Sequence, residues 1–138
     1  MTETEHEYLL GTNDAELARL GFQHEVWAAA TAKAWERAGF HLGDRILDVG
    51  CGPGWATFAL ARLVGATGHV LGVDASARFL AYVDAERRRL GIAHVEMRRQ
   101  QLEALDVPAD TFDGAFARWV LCYLRDPQLV IDLSLIHI

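Results

Sequence analysis

Apolar residues recur at helical spacing through the first third of the chain and then break into short runs separated by helical stretches. In the first block Leu17 and Leu20 begin a stripe that resumes after Gly21 with Phe22, Val26, Trp27, Ala30, Ala34 and Trp35. Asn13 and Asp14 offer an N-cap, Glu16 suits the positive end of the helix dipole, and Gly39 is a stop. This spacing predicts a helix of about two dozen residues, in one piece or in two divided at Gly21. Residues 1–12 read as a loose lead-in with a turn at Gly11.

From residue 45 the pattern shortens. Residues 45–49 form an apolar run that ends in glycines, as a buried strand does. A helix is expected over 55–64, with Phe58, Leu60, Ala61 and Val64 on its apolar face and Gly65 as its stop. A second strand over 69–73 ends at Asp74. Ser76 then caps a helix whose apolar face is Phe79, Leu80, Val83 and Leu90, and Gly91 ends it. Strands over 94–98 and 113–117 flank a stretch, 101–111, read mostly as loop. A helical turn over 119–124 and an Asp126-Pro127 helix start complete the pattern. Alternation of strand and helix implies an α/β fold with a mostly parallel sheet and right-handed crossovers.

Two features carry chemistry. In Ile46-Leu47-Asp48-Val49-Gly50-Cys51-Gly52-Pro53-Gly54 a strand runs into three glycines at alternate positions, immediately before a helix. Glycine lets the chain turn sharply and lets a ligand press on the backbone, and the helix N-terminus behind it favours an anionic ligand group. Asp74 ends the second strand, 20 residues after Gly54. A carboxylate at that position in a doubly wound sheet lies beside a ribose, and its oxygens accept from both ribose hydroxyls.

Together these segments resemble the class I S-adenosylmethionine (SAM)-dependent methyltransferases. Leu47 to Gly54 is similar to the family's first motif, and Gly72-Val73-Asp74-Ala75-Ser76 to its second. Phe112-Asp113-Gly114-Ala115-Phe116-Ala117-Arg118-Trp119-Val120-Leu121, followed by Asp126-Pro127, is similar to its fourth strand and the segment after it. The resemblance covers roughly residues 42–131 and implies a Rossmann-like sheet in the order 3-2-1-4 with an N-terminal helical cap over residues 1–41. It implies SAM as cofactor. Gly50, Cys51, Gly52 and Gly54 would line its methionine half, Asp48 would help hold its amino group, and Asp74 with Ala75 would meet the ribose. Gln101 and Leu102 would cover the adenine, although the family often has aspartate where Gln101 stands. Arg118 and Trp119 would lie near the methionine end. Tyr8, Arg19 and Gln23 fall where related enzymes lay a cap over the cofactor. No residue stands out as the catalytic base. No Asn-Pro-Pro-Tyr-like motif follows the fourth strand, which turns the expectation from nucleic-acid bases toward a small-molecule acceptor.

Composition narrows the partners. The net charge of −6 over 138 residues leaves no basic footprint for nucleic acid. Arg87-Arg88-Arg89 and Arg98-Arg99 read as a solvated helix face and a strand end. Cys51 and Cys122 suggest neither a disulfide framework nor a zinc pattern, and the histidines form no ligand-spaced cluster, so no metal is expected. The polar, acidic start lacks a signal peptide's basic region, and no apolar run reaches spanning length. A cytoplasmic protein without membrane contact is expected.

A dinucleotide-binding oxidoreductase is the alternative. Its G-x-G-x-x-G fingerprint places the third glycine one position later than Gly54, where this chain has Trp55. The family's sheet has seven strands, ordered 3-2-1-4-5-7-6, and only the first four are recognisable here. Residues 42–132 are therefore expected to be a partial SAM-binding domain with little turnover by itself. Residues 133–138, Leu-Ser-Leu-Ile-His-Ile, read like a translated sequencing-library adapter.

Overall fold

The computed structural model describes residues 13–138. Four parallel strands, β1 (Arg45–Val49), β2 (His69–Asp74), β3 (Val95–Arg99) and β4 (Gly114–Ala117), form a sheet in the order β3-β2-β1-β4. Four α-helices accompany them: α1 (Asp14–Ala38), α2 (Trp55–Val64), α3 (Ala77–Leu90) and α4 (Pro127–Ile136). This is the Rossmann-like arrangement expected, with a helix leading into the sheet.

β1 has neighbours on both sides and is covered on both faces, which is why its run is almost continuously apolar. Successive side chains divide between two cores. Ile46 packs with Leu60, Val64 and Val70, while Leu47 and Val49 pack with Leu71, Val73 and Val130. The loop between β3 and β4 belongs to the second core. Its Leu102, Leu105, Val107 and Phe112 are buried, so this segment covers the sheet without a long helix.

Local caps set the helix ends. The side chains of Asn13, Ser76 and Asp126 accept from Glu16 N, Phe79 N and Leu129 N. Gly39 and Gly91 close their helices in the left-handed conformation.

α1 is one helix, and Gly21 does not divide it. A Cβ at Gly21 would stand 3.0 Å from the Trp55 ring, so the glycine permits close passage over Trp55. The predicted apolar face of α1 is only partly a core face. Trp35 is buried edge-on against Phe116, with ring centroids 5.2 Å apart. Phe22, Val26 and Trp27 are 68%, 60% and 51% exposed. The reason is placement: the first half of α1 runs beside the ends of the strands and not along a sheet face. Leu90, expected on the apolar face of α3, is also exposed, at the last residue of that helix. The lead-in and turn read over residues 1–12 lie outside the described residues. No helix among the described residues is long and apolar enough to cross a membrane.

Gly54 begins α2 at φ 89°, and a Cβ there would stand 2.7 Å from Cγ2 of Val83. Positive φ and overpacking act together, so Gly54→Ala is expected to destabilise the chain by about 2–4 kcal/mol. Urea denaturation measures it, and an unchanged midpoint would show that α3 yields to the added methyl.

Candidate functional site

A cleft of about 670 Å³ opens at the C-terminal ends of β1, β2 and β4, the usual ligand position in an open parallel sheet. Its floor is the glycine loop. The amides of Gly50 and Cys51 both donate to Val73 O, at 2.8 and 3.0 Å, which presses the loop against the end of β2. The amide of Gly52 donates to Oδ2 of Asp74 at 2.9 Å, and Oδ1 of Asp74 accepts from Ser76 N at 2.8 Å. One carboxylate thus joins the tip of β1 to the tip of β2 and opens the turn into α3.

The three glycines do different work. Gly50, at φ 71°, lies under Val120, and a Cβ there would come within 2.5 Å of that side chain. Gly52, at φ 54°, has nothing within 4 Å of its Cβ position and offers bare backbone to the cleft. Gly54, expected at the methionine half, is not among the residues lining the cleft and is buried against α3. Having no side chain, it leaves the start of α2 without a side-chain cap.

Asp48 lies below the loop, 2% exposed, with Oδ2 accepting from the Thr57 hydroxyl at 2.7 Å. Burial pushes its pKa up to about 6. The Thr57 hydrogen bond and the Arg118 charge hold it from rising further, while the Asp74 charge adds to the rise. Burial, and then the charges of Asp48 and Asp74, also push the Cys51 thiol well above its ordinary range, so it stays protonated. Its sulfur packs beside Gly72 of β2, where a Cβ would stand only 3.0 Å away.

The walls come from two segments. Ala75, Ser76, Gln101 and Leu102 stand on the β2–β3 side, and Arg118, Trp119 and Val120 on the β4 side. The structure therefore brings Asp48, Gly50, Cys51, Gly52, Asp74, Ala75, Gln101, Leu102, Arg118 and Trp119 to one cleft. Arg118 does more than line it. Its guanidinium donates to Thr31 Oγ1 at 2.9 Å, meets His24 Nδ1 at 2.9 Å, and lies 4.3 Å from the centre of the Trp119 ring. Trp119 is partly exposed and lines the mouth.

Some residues escaped the sequence reading. Thr57, one turn into α2, is the partner of Asp48, and its place in the first turn after the glycine loop was the available signal. Leu20 and Trp55 also line the cleft. Arg19 and Gln23 do not: Arg19 pairs with Glu16 at 2.6 Å and reaches Gln23 at 3.2 Å. Tyr8 lies outside the described residues.

Comparison with known proteins agrees with this geometry. Residues 46–135 match the model of a family described as "Methyltransferase domain". The 2-phytyl-1,4-naphtoquinone methyltransferase of Synechocystis sp. is 41% identical over 115 residues, covering 81% of this chain and 47% of that protein. The arsenite methyltransferase of Aquipseudomonas alcaligenes is 41% identical over 96 residues, covering 64% of this chain and 28% of its own. A solved SAM-dependent methyltransferase from Aquifex aeolicus superposes with a TM-score of 0.70 at 25% identity, over 76% of this chain and 56% of that one. The chain thus spans about half the length of the first of these relatives, and less of the second. With a parallel 3-2-1-4 sheet, a glycine loop tied to the acid of the neighbouring strand, and this family match over most of its length, the chain belongs to the SAM-dependent methyltransferase family.

Proposed function

We propose that the protein takes part in methyl transfer from SAM to a small, largely apolar acceptor, with SAM lying across the joined tips of β1 and β2. The observation that carries this reading is the 2.9 Å hydrogen bond from Gly52 N to Asp74, beside a glycine whose Cβ position is open. The cleft fits such a ligand in size and chemistry: its volume is in the range of small-molecule sites, its floor is bare backbone, and Asp48, Asp74 and Glu103 line it.

In this reading Asp74, held by the amides of Gly52 and Ser76, accepts from the ribose hydroxyls. Asp48, ionised above pH 6, attracts the amino group from below the loop. The exposed amide end of α2 attracts the carboxylate. Gln101 and Leu102 flank the adenine, and Arg118 and Trp119 stand at the methionine end. When bound, SAM supplies a methyl group already activated by a sulfonium charge. The protein's task is then to align the acceptor and exclude water, which is a matter of positioning.

The acceptor side is aromatic. Trp119 and Tyr123 line the mouth, and Trp27 of α1 stands edge-on to Trp119 at 6.4 Å. Such walls suit a flat apolar ring, and one relative is named for a naphthoquinone. Another relative acts on arsenite by name, but soft metalloids are held by thiolates, and Cys51 is held as a thiol. The negative net charge favours a small molecule over nucleic acid.

Calorimetric titration with SAM and with NADH tests the reading; NADH binding without SAM binding would sink it. Asp74→Ala is expected to weaken SAM binding by about 1.5–3 kcal/mol through loss of charge-assisted hydrogen bonds. Gly52→Ala should weaken SAM binding by at least tenfold, roughly 1.4 kcal/mol, while lowering stability less than Gly54→Ala, because its methyl projects into open space.

Asp48 gives a signed pH dependence. Its folded pKa, about 6, is raised above the ordinary carboxylate value. The stability from keeping it neutral is fully present below pH 4 and is lost as pH rises through about 6. Asp48→Asn should therefore stabilise the ligand-free chain at pH 7.5 by on the order of 2–3 kcal/mol, with the gain gone at pH 4 in thermal melts. In the parent chain SAM affinity should increase as pH rises through the same interval, because the cationic ligand favours the ionised acid.

A further inference from the structure

Three residues of α1, His24, Trp27 and Thr31, follow the spacing of a single helix face. All three meet the two residues that follow β4. Arg118 reaches Thr31 Oγ1 and His24 Nδ1, each at 2.9 Å, although 87 and 94 positions separate them in the chain. Trp119 meets Trp27 edge-on and carries the Arg118 guanidinium over its ring. Trp119 adopts φ 57°, a left-handed conformation that costs an aromatic residue energy and persists only where neighbours hold it. Arg118 and Trp119 also line the cleft, as does Leu20, one turn before His24 on α1. The grip on the helix and the wall of the site are therefore the same two side chains.

We propose that Arg118 and Trp119 form a latch that fastens α1 across the mouth of the cleft, and that neutral His24 is its pH-sensitive catch. As a device controlling ligand residence, this rests on the methyl-transfer reading; as a fastening of α1, it stands alone. The contact requires an unprotonated Nδ1, because a guanidinium only donates hydrogen bonds. Protonation removes the acceptor and sets a second cation against Arg118. Arg118 from the β4 end and Arg62 of α2 oppose that charge, and Glu25, the next residue on α1, favours it. Burial and the two arginines hold the His24 pKa below its ordinary value. The latch is thus closed at neutral pH and opens as pH falls below the usual histidine range. The stability it adds is present above that range and lost as pH falls through the depressed value. Arg118 and His24 are positioning residues here, acting on the site through the helix they hold.

Hydrogen exchange of the full chain, without ligand and expressed as protection factors, tests the latch directly. Arg118→Met, His24→Ala and Thr31→Val should each lower protection across residues 20–32 by tenfold or more at pH 7.5, and leave the amides of β1 and β2 unchanged. His24→Asn offers an acceptor oxygen near the Nδ1 position and should restore protection. It should also remove the drop in α1 protection expected of the parent as pH falls below the usual histidine range. In stopped-flow displacement the dissociation of S-adenosylhomocysteine should speed up tenfold or more in Thr31→Val. Unchanged α1 protection in both Arg118→Met and Thr31→Val would overturn the latch. If S-adenosylhomocysteine does not bind the parent chain, the ligand reading of the cleft fails, while α1 protection still decides the latch. Loss of protection throughout the sheet in Arg118→Met would point to a role in folding, and the near-isosteric Thr31→Val would then decide.

Discussion

The amide of Gly52 and the carboxylate of Asp74 are brought together by a parallel pairing that begins elsewhere. β1 and β2 run in register from Arg45 opposite His69 to Val49 opposite Val73, so their tips emerge side by side. The glycine loop then folds over the end of β2, with two amides on Val73 O and a third on Asp74. The second oxygen of Asp74 holds Ser76 N, and Ser76 caps α3. A single carboxylate therefore fixes the loop, the strand end and the next helix. The result is a backbone surface set before any ligand arrives, which reduces the ordering cost of binding.

The same geometry creates an electrostatic problem. Asp48, deep in the central strand, sits near Asp74 in a place with little access to water, and burial raises its pKa to about 6. Thr57 and Arg118 offset part of that cost. Maintaining buried acids is unfavourable in isolation. A ligand with positive charge at its sulfonium and amino groups would relieve that burden. Cys51, between the two acids, is held neutral by the same field, so the loop carries a compact apolar group without a reactive anion.

Much of the frame could be read from local sequence because local forces build it. Asn13, Ser76 and Asp126 cap helices where their side chains reach an amide three residues on, and Gly39 and Gly91 end helices for lack of a Cβ. β1 was legible as a short, mostly apolar run because both its faces are covered. Periodicity failed on α1. Phe22, Val26 and Trp27 follow a helical stripe, but the stripe records only that one face is apolar, not what it meets. The separate surroundings of Gly52 and Gly54 were not legible for a related reason. Glycines at alternate positions look alike in sequence, yet Val83 from α3 crowds Gly54 while Gly52 stays open.

The two sides of the cleft differ in how they are made, and this bears on what each can specify. The proposed cofactor side is built from backbone amides and the acids Asp48 and Asp74, at the paired ends of β1 and β2. The mouth is built from side chains that meet over long distances in sequence: Trp27, Thr31 and His24 from α1 against Arg118 and Trp119 from the β4 end. Substitution there leaves the strand tips untouched but changes which surface an acceptor meets. In the proposed reading, one side chain there alters the shape of the mouth and the hold on the helix together.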